Sequence, residues 1–112
     1  MRGLAFACLV VGPLAGLAVP AVAAEMTGKE VFDHYCTYCH GSADGPGTVQ
    51  LSRSRGKDRA LLTERKDLAA DYIEYIVRHG LKSMPPFAPA DLTDARLKAL
   101  VAFLTRQPGP RK

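Results

Sequence analysis

The chain has no tryptophan, four tyrosines, four phenylalanines, three cysteines and three methionines in 112 residues. Three cysteines, one of them Cys8 near the N-terminus, cannot build a multi-disulfide framework. No stretch alternates apolar and polar residues with a period of two, so strands are not expected and helices are. There is no internal repeat. A second C-x-x-C and an H-x-x-x-H are both missing, which leaves a structural zinc site short of its usual ligand pattern. No nucleic-acid-binding motif is present either, although the formal net charge is +4.

The N-terminus reads as an export signal. Met1-Arg2 gives a short positive start, Gly3 to Ala24 carries no charge, and the segment ends in the small residues Ala21-Val22-Ala23-Ala24. Cleavage after Ala23 and after Ala24 fit equally. The rival is an uncleaved membrane anchor, because 22 uncharged residues can span a bilayer. Gly12, Pro13, Gly16 and Pro20 interrupt the stretch, and alanine makes it weakly apolar. The expected division is therefore a signal peptide at 1–24 and a domain at 25–112. The product would be periplasmic, with no stable membrane insertion after cleavage. Cys8 leaves with the signal, and the loss of Arg2 takes the charge of the remaining 88 residues from +4 to +3. A domain this small buries a limited core and gains from a staple.

Three helices are legible. Thr27-Gly28-Lys29-Glu30 forms a capping box, predicting a helix from about Gly28 to Cys36. Ala69, Tyr72, Ile73, Ile76 and Val77 repeat at helical spacing, with Arg78 and His79 in the last turn and Gly80 as terminator. Thr93 caps a last helix carrying Leu97, Leu100, Val101 and Leu104, which Pro108 and Pro110 stop. Gly41 to Gly47 reads as a turn-rich loop, and Thr48 to Lys66 as polar and basic with short helical turns at most. Leu81 to Leu92, with Pro85, Pro86 and Pro89, reads as a loop.

Cys36-Thr37-Tyr38-Cys39-His40 is the segment that carries chemistry. C-x-x-C-H is the attachment signal of a c-type haem: two thiols form thioethers to one porphyrin, and the adjacent imidazole becomes an axial iron ligand. A thioredoxin-like dithiol would need strands and a longer chain. Zinc would need Cys36, Cys39, His40 and either His34 or His79, with His40 awkwardly next to Cys39.

A low-spin carrier needs a second axial ligand. Met1 lies in the signal and Met26 precedes the first helix, which leaves Met84 between Ser83 and the stiffening Pro85-Pro86. His79 is the alternative sixth ligand, and His34 reads as a surface residue. A ligating His40 should donate its other ring N–H to an acceptor, for which the Pro46 carbonyl is the candidate. Phe87 is a candidate for packing near the haem edge. Arg65, Tyr72 and Lys82 are candidates for the propionates. Arg53, Arg55, Lys57, Arg59, Arg65 and Lys66 face only Asp58 and Glu64 across their segment, which reads as a solvated loop or as a docking patch for an acidic partner.

Thr27–Phe32, Cys36–His40, Met84-Pro85 and the Leu97–Leu104 helix together resemble class I monohaem cytochrome c over nearly all of 25–112. The resemblance implies a small all-α fold, with three main helices around one covalent haem. It implies attachment through Cys36 and Cys39 and ligation by His40 and Met84. It also implies that the first and last helices cross at Gly28 and Phe32, opposite the Leu100–Leu104 face. The run Tyr72-Ile73 … Ile76-Val77-Arg78-His79-Gly80 … Met84-Pro85-Pro86-Phe87 is similar to the small cytochrome subunits of flavocytochromes of the p-cresol methylhydroxylase type. Thr48–Asp67 is longer and more basic than in those subunits. The implied role is electron transfer from a dehydrogenase donor to an oxidase or another cytochrome, without catalysis by this chain. The dehydrogenase would carry flavin or a quinone cofactor if the chain is its dedicated subunit. A haem sensor or enzyme with an open iron site and a zinc-stabilised structural domain are the other classes to be separated.

Overall fold

The computed structural model describes residues 25–106. The expected signal peptide at 1–24 and the stop at Pro108 and Pro110 lie outside the described residues. Among the described residues there are five α-helices: α1 (Gly28–Tyr35), α2 (Thr37–His40), α3 (Pro46–Arg55), α4 (Ala70–His79) and α5 (Asp94–Thr105). Two single-turn 3₁₀ segments, Lys57–Arg59 and Leu62–Glu64, link α3 to α4. Among the described residues there is no strand, only an isolated antiparallel bridge between Leu81 and Met84. The all-α expectation holds.

α1 starts where the capping box places it. The Thr27 hydroxyl accepts from the Glu30 N–H at 3.3 Å, and the Glu30 carboxylate accepts from the Thr27 N–H at 2.7 Å. α5 starts the same way, with the Thr93 hydroxyl accepting from the Arg96 N–H at 3.3 Å. α4 stops at Gly80, whose φ of 73° only glycine adopts cheaply, and whose N–H donates to the Ile76 carbonyl.

The core is one cluster, formed by Val31 and Phe32 of α1, Ile73 and Val77 of α4, Leu92, and Leu97, Leu100, Val101 and Leu104 of α5. α1 and α5 cross at Gly28, where a β-carbon would meet the Ala99 carbonyl and come within 2.6 Å of Phe103 Cβ. Only glycine lets the two backbones approach this closely. The Phe32 and Phe103 rings meet beside the crossing at 5.9 Å between centroids and tilted by 50°. The expected crossing at Gly28 and Phe32 is thus present, and its opposing contact falls on Ala99 and Phe103.

α3 is the main addition to the sequence expectation. Within the segment read as a turn-rich loop followed by short turns, Pro46–Arg55 forms a ten-residue helix with Pro46 in its first turn, while the expected short turns follow at Lys57–Arg59 and Leu62–Glu64. Thr48 is its only buried residue, so no hydrophobic stripe announces it. Its N-terminal turn packs on the C-x-x-C-H segment, which gives it a part in the site.

Candidate haem site

The C-x-x-C-H segment straddles the end of α1 and the short helix α2. Cys36 caps α1 through its N–H to the Phe32 carbonyl, and the His40 N–H donates to the Cys36 carbonyl. This continuous winding puts Cys36, Cys39 and His40 within four or five backbone positions on one helical surface. Both thiols are free and half-buried. Burial, with Cys39 adding to it, pushes the Cys36 thiol up to about 11, so it is a neutral thiol at physiological pH.

His40 is half-buried, and burial holds its imidazole below the usual histidine range. The neutral ring keeps a lone pair for a metal. Its Nδ1 is buried and has no hydrogen-bond partner. The ring lies against the first turn of α3: a β-carbon on Gly47 would sit 2.6 Å from His40 Cε1 and 2.9 Å from Nδ1 and from the Cys39 carbonyl oxygen. Thr48, 2% exposed, donates its hydroxyl to that same carbonyl at 3.4 Å. Sequence reasoning missed Gly47 and Thr48, since neither residue type signals contact with His40 or with the Cys39 carbonyl seven to nine positions earlier. Pro46 stands beside Gly47 at the start of α3, and its carbonyl makes no bond to Nδ1 in this structure.

Met84 is half-buried and packs against the core cluster, as do Cys36, Tyr35 and Phe87. It ends a tight turn in which the Leu81 N–H donates to the Met84 carbonyl at 3.1 Å and the Met84 N–H to the Leu81 carbonyl at 2.9 Å. Lys82 enters this turn at φ 53°. The turn folds over Gly80, where a β-carbon would lie 2.6 Å from the Met84 carbonyl oxygen and 3.0 Å from Pro86 N. Phe87 then returns to α4, its N–H donating to the Val77 carbonyl at 2.8 Å, and its ring meets Tyr35 edge-on at 6.1 Å.

The rival ligands are engaged elsewhere. His79 Nδ1 bonds the Tyr75 carbonyl at 2.8 Å, and its ring stacks on Tyr75 at 4.2 Å along the outside of α4. His34 is exposed and packs edge-on against Tyr35. Among the described residues no group of three or more His, Cys, Asp and Glu side chains is arranged to hold a metal ion, so neither histidine joins Cys36, Cys39 and His40 in a zinc site. The three propionate candidates differ in availability. Arg65 is already bound in bidentate fashion to Asp67, with both N–H···O distances 2.9 Å, while Tyr72 and Lys82 are exposed.

The donor set fits a haem. The Cys36 thiol and the Met84 thioether border one apolar core, Cys39 and His40 follow Cys36 in the same helical winding, and the buried His40 Nδ1 lacks an acceptor. Fold and site together define a cytochrome c domain. The family model described as cytochrome C oxidase, cbb3-type, subunit III matches residues 23–104, and the chain belongs to that cytochrome c family. This assignment implies haem c as the cofactor and makes the chain an electron carrier. The cytochrome c subunit of 4-cresol dehydrogenase (hydroxylating) from Pseudomonas putida is 30% identical over 84 residues, covering 75% of this chain and 63% of the relative. The match thus spans less than two thirds of that relative's length. A crystal structure of p-cresol methylhydroxylase with substrate bound contains a chain 29% identical, superposing with a TM-score of 0.56 over 74% of this chain and 95% of its own. A second, at 2.5 Å resolution, gives the same identity and TM-score over 73% and 94%.

Proposed function

We propose that the chain is a periplasmic electron-transfer protein with one haem, attached covalently through Cys36 and Cys39 and ligated by His40 and Met84. The observation that carries this reading is the shared core under two unlike elements. Cys36 and Met84 pack on the same cluster, while His34 packs edge-on against Tyr35 and His79 stacks on Tyr75. The haem supplies the one-electron chemistry. Cys36 and Cys39 would anchor it, and His40 and Met84 would supply the two iron-ligating atoms. With haem bound, the Pro46 carbonyl would be the acceptor for His40 Nδ1, the partner that this buried nitrogen lacks.

The donor is a flavin-containing dehydrogenase of the kind to which the matched cytochrome subunits belong, and the acceptor is a further cytochrome or an oxidase. The docking surface is the basic stretch from the last turn of α3 to Lys66. Asp67 neutralises Arg65 at 2.9 Å and reaches Arg59 at 3.7 Å. Arg53, Arg55, Lys57 and Lys66 are exposed and make no ion pair among the described residues, which suits an acidic partner.

Absorption spectroscopy of the purified protein tests the cofactor assignment. Sharp low-spin bands on reduction and a weak near-infrared Fe–S(Met) band on oxidation are expected, with haem staining that survives denaturing electrophoresis and a mass increment of one haem. A colourless protein would overturn the haem reading and return the zinc alternative. A high-spin spectrum would remove Met84 from the iron and favour a sensor or enzyme. Met84→Ala should lower the reduction potential and admit small exogenous ligands. An unchanged potential would point to His79.

A further inference from the structure

Arg78 stands in the last turn of α4, where its charge alone suits the helix dipole. Its side chain does more than that. It is 18% exposed and turned inward, away from solvent. Nη1 donates to the Phe87 carbonyl at 2.9 Å and to the Leu92 carbonyl at 2.8 Å. Nη2 reaches the Asp94 carboxylate at 2.5 Å. One guanidinium thus binds the middle of the Met84 loop, its end, and the first residue of α5.

These bonds complete a clamp. Upstream, Met84 is held by its paired bonds with Leu81 and by its seat over Gly80. Pro85 and Pro86 then carry the chain rigidly to Phe87. Phe87 is fixed by its N–H to the Val77 carbonyl and by its carbonyl to Arg78. Leu92, 1% exposed, is fixed in the core by its side chain and to Arg78 by its carbonyl. Few side chains between Met84 and Leu92 are buried: Phe87 is half-buried, and Pro85, Pro86 and the residues from Ala88 to Asp91 are exposed. Between Met84 and Leu92 apolar burial therefore contributes little to the loop's position, and directional bonds set it, the two from Arg78 being the side-chain ones. A planar five-donor group is suited to gathering carbonyls from two loop positions and a carboxylate at once, which a lysine cannot do.

We infer that Arg78 is the positioning residue that holds the Met84 thioether on the iron, by binding the Phe87 and Leu92 carbonyls. The inference rests on Met84 being the sixth ligand. Without Arg78 the loop swings more freely, the sulfur leaves the iron more often, and an exogenous ligand competes better.

The test is imidazole binding to the oxidised holoprotein, with the near-infrared Fe–S(Met) band read in parallel, in wild type, Arg78→Met, Arg78→Lys, Asp94→Asn and Thr27→Ala. Arg78→Met should bind imidazole at least tenfold more tightly and lose half or more of the band. Arg78→Lys, which restores charge but not the fork, should bind at least threefold more tightly than wild type and less tightly than Arg78→Met. Asp94→Asn keeps both carbonyl bonds and should stay within threefold. Thr27→Ala destabilises α1 away from the loop and should also stay within threefold, which separates positioning from general loosening. If both Arg78 variants stay within threefold of wild type, the inference falls. If Thr27→Ala changes imidazole affinity as much as they do, it also falls. Should Arg78→Met not yield holoprotein, the threefold threshold applied to Arg78→Lys decides alone. A wild-type protein with no Fe–S(Met) band would overturn the ligation by Met84 and the inference with it. A wild-type band with unresponsive Arg78 variants overturns the inference alone.

Discussion

Gly47→Ala tests whether α3 seats the haem-ligating histidine. The added β-carbon would lie 2.6 Å from His40 Cε1 and 2.9 Å from the Cys39 carbonyl oxygen. Carbon–carbon contacts settle at about 3.5–4.0 Å, so the ring and the helix must separate by roughly 1 Å. The helix cannot slide away freely, because Thr48 is buried beside it and bonded to the same carbonyl. Two effects oppose each other. Alanine is the better helix former by up to about 1 kcal/mol, and by less in a first turn. Overpacking a fitted contact costs about 1–3 kcal/mol. Overpacking wins, and the expected net loss is about 1–2 kcal/mol, a fall in Tm of roughly 5–10 °C for a domain of this size. Thermal melts by far-ultraviolet circular dichroism measure the loss, and the Soret position reports displacement of the imidazole. Gly56→Ala provides a contrast. Gly56 has φ 91° and open space around it, so that variant should lose stability by backbone strain without any spectral change. A Gly47→Ala protein as stable as wild type, with an unmoved Soret band, would refute the packing of α3 on His40.

Thr27→Ala removes the hydroxyl that accepts from the Glu30 N–H, leaves the backbone N–H that donates to the Glu30 carboxylate, and should cost about 1 kcal/mol, read as a lower urea midpoint with an unchanged slope. The hydrogen bonds from Arg65 hold the Asp67 carboxyl at about 2, with the charges of Arg65 and Arg59 assisting. Its folded pKa lies below the unfolded one, so the contribution to stability is present above the ordinary carboxylate range of about 4 and fades as pH falls from there toward about 2. An NMR titration should return that low midpoint in wild type and one nearer the ordinary range in Arg65→Gln. Replacing Arg53, Arg55 and Lys57 together by glutamine should slow reduction by the native dehydrogenase and flatten its salt dependence while leaving Tm nearly unchanged; a steep salt dependence that survives the triple replacement would move the docking surface elsewhere.

Much of the scaffold was legible in the sequence because its signals are local. The Thr27–Glu30 box, the Thr93 cap, Gly80 and the apolar spacings of α4 and α5 each act within a turn or two, and each element formed where those signals put it. α3 escaped for a physical reason. It buries only Thr48, and its first turn packs on an imidazole and a carbonyl from an earlier helix, so no apolar periodicity marks it. Pro46 after Gly45 was the one available sign, since proline favours the first helical position, but in Gly-Ser-Ala-Asp-Gly-Pro-Gly it reads equally as a turn. Arg78 escaped similarly. Its partners lie 9, 14 and 16 positions downstream, beyond the reach of any local pattern. Phe87, a haem-edge candidate from sequence, packs edge-on against Tyr35 and joins the core margin, while its backbone anchors the loop.

The two donors proposed for the iron are held by different means, and that difference sets where the site yields first. His40 follows Cys39 directly, its N–H is bonded within the same helical winding, and α3 closes over its ring. Releasing it requires breaking α2 away from α3. Met84 depends on contacts that converge from α4, α5 and its own turn, with little side-chain burial between it and Leu92. Segments of that kind open locally at a lower cost than the folded core. Opening the Met84 side also leaves the α1–α5 crossing, the Phe32–Phe103 pair and the C-x-x-C-H helix untouched, since none of their contacts runs through the loop. The histidine side is therefore the fixed half of the site. The methionine side is the adjustable half, where substitutions in the loop and at Arg78 would tune ligand exchange without unfolding the domain.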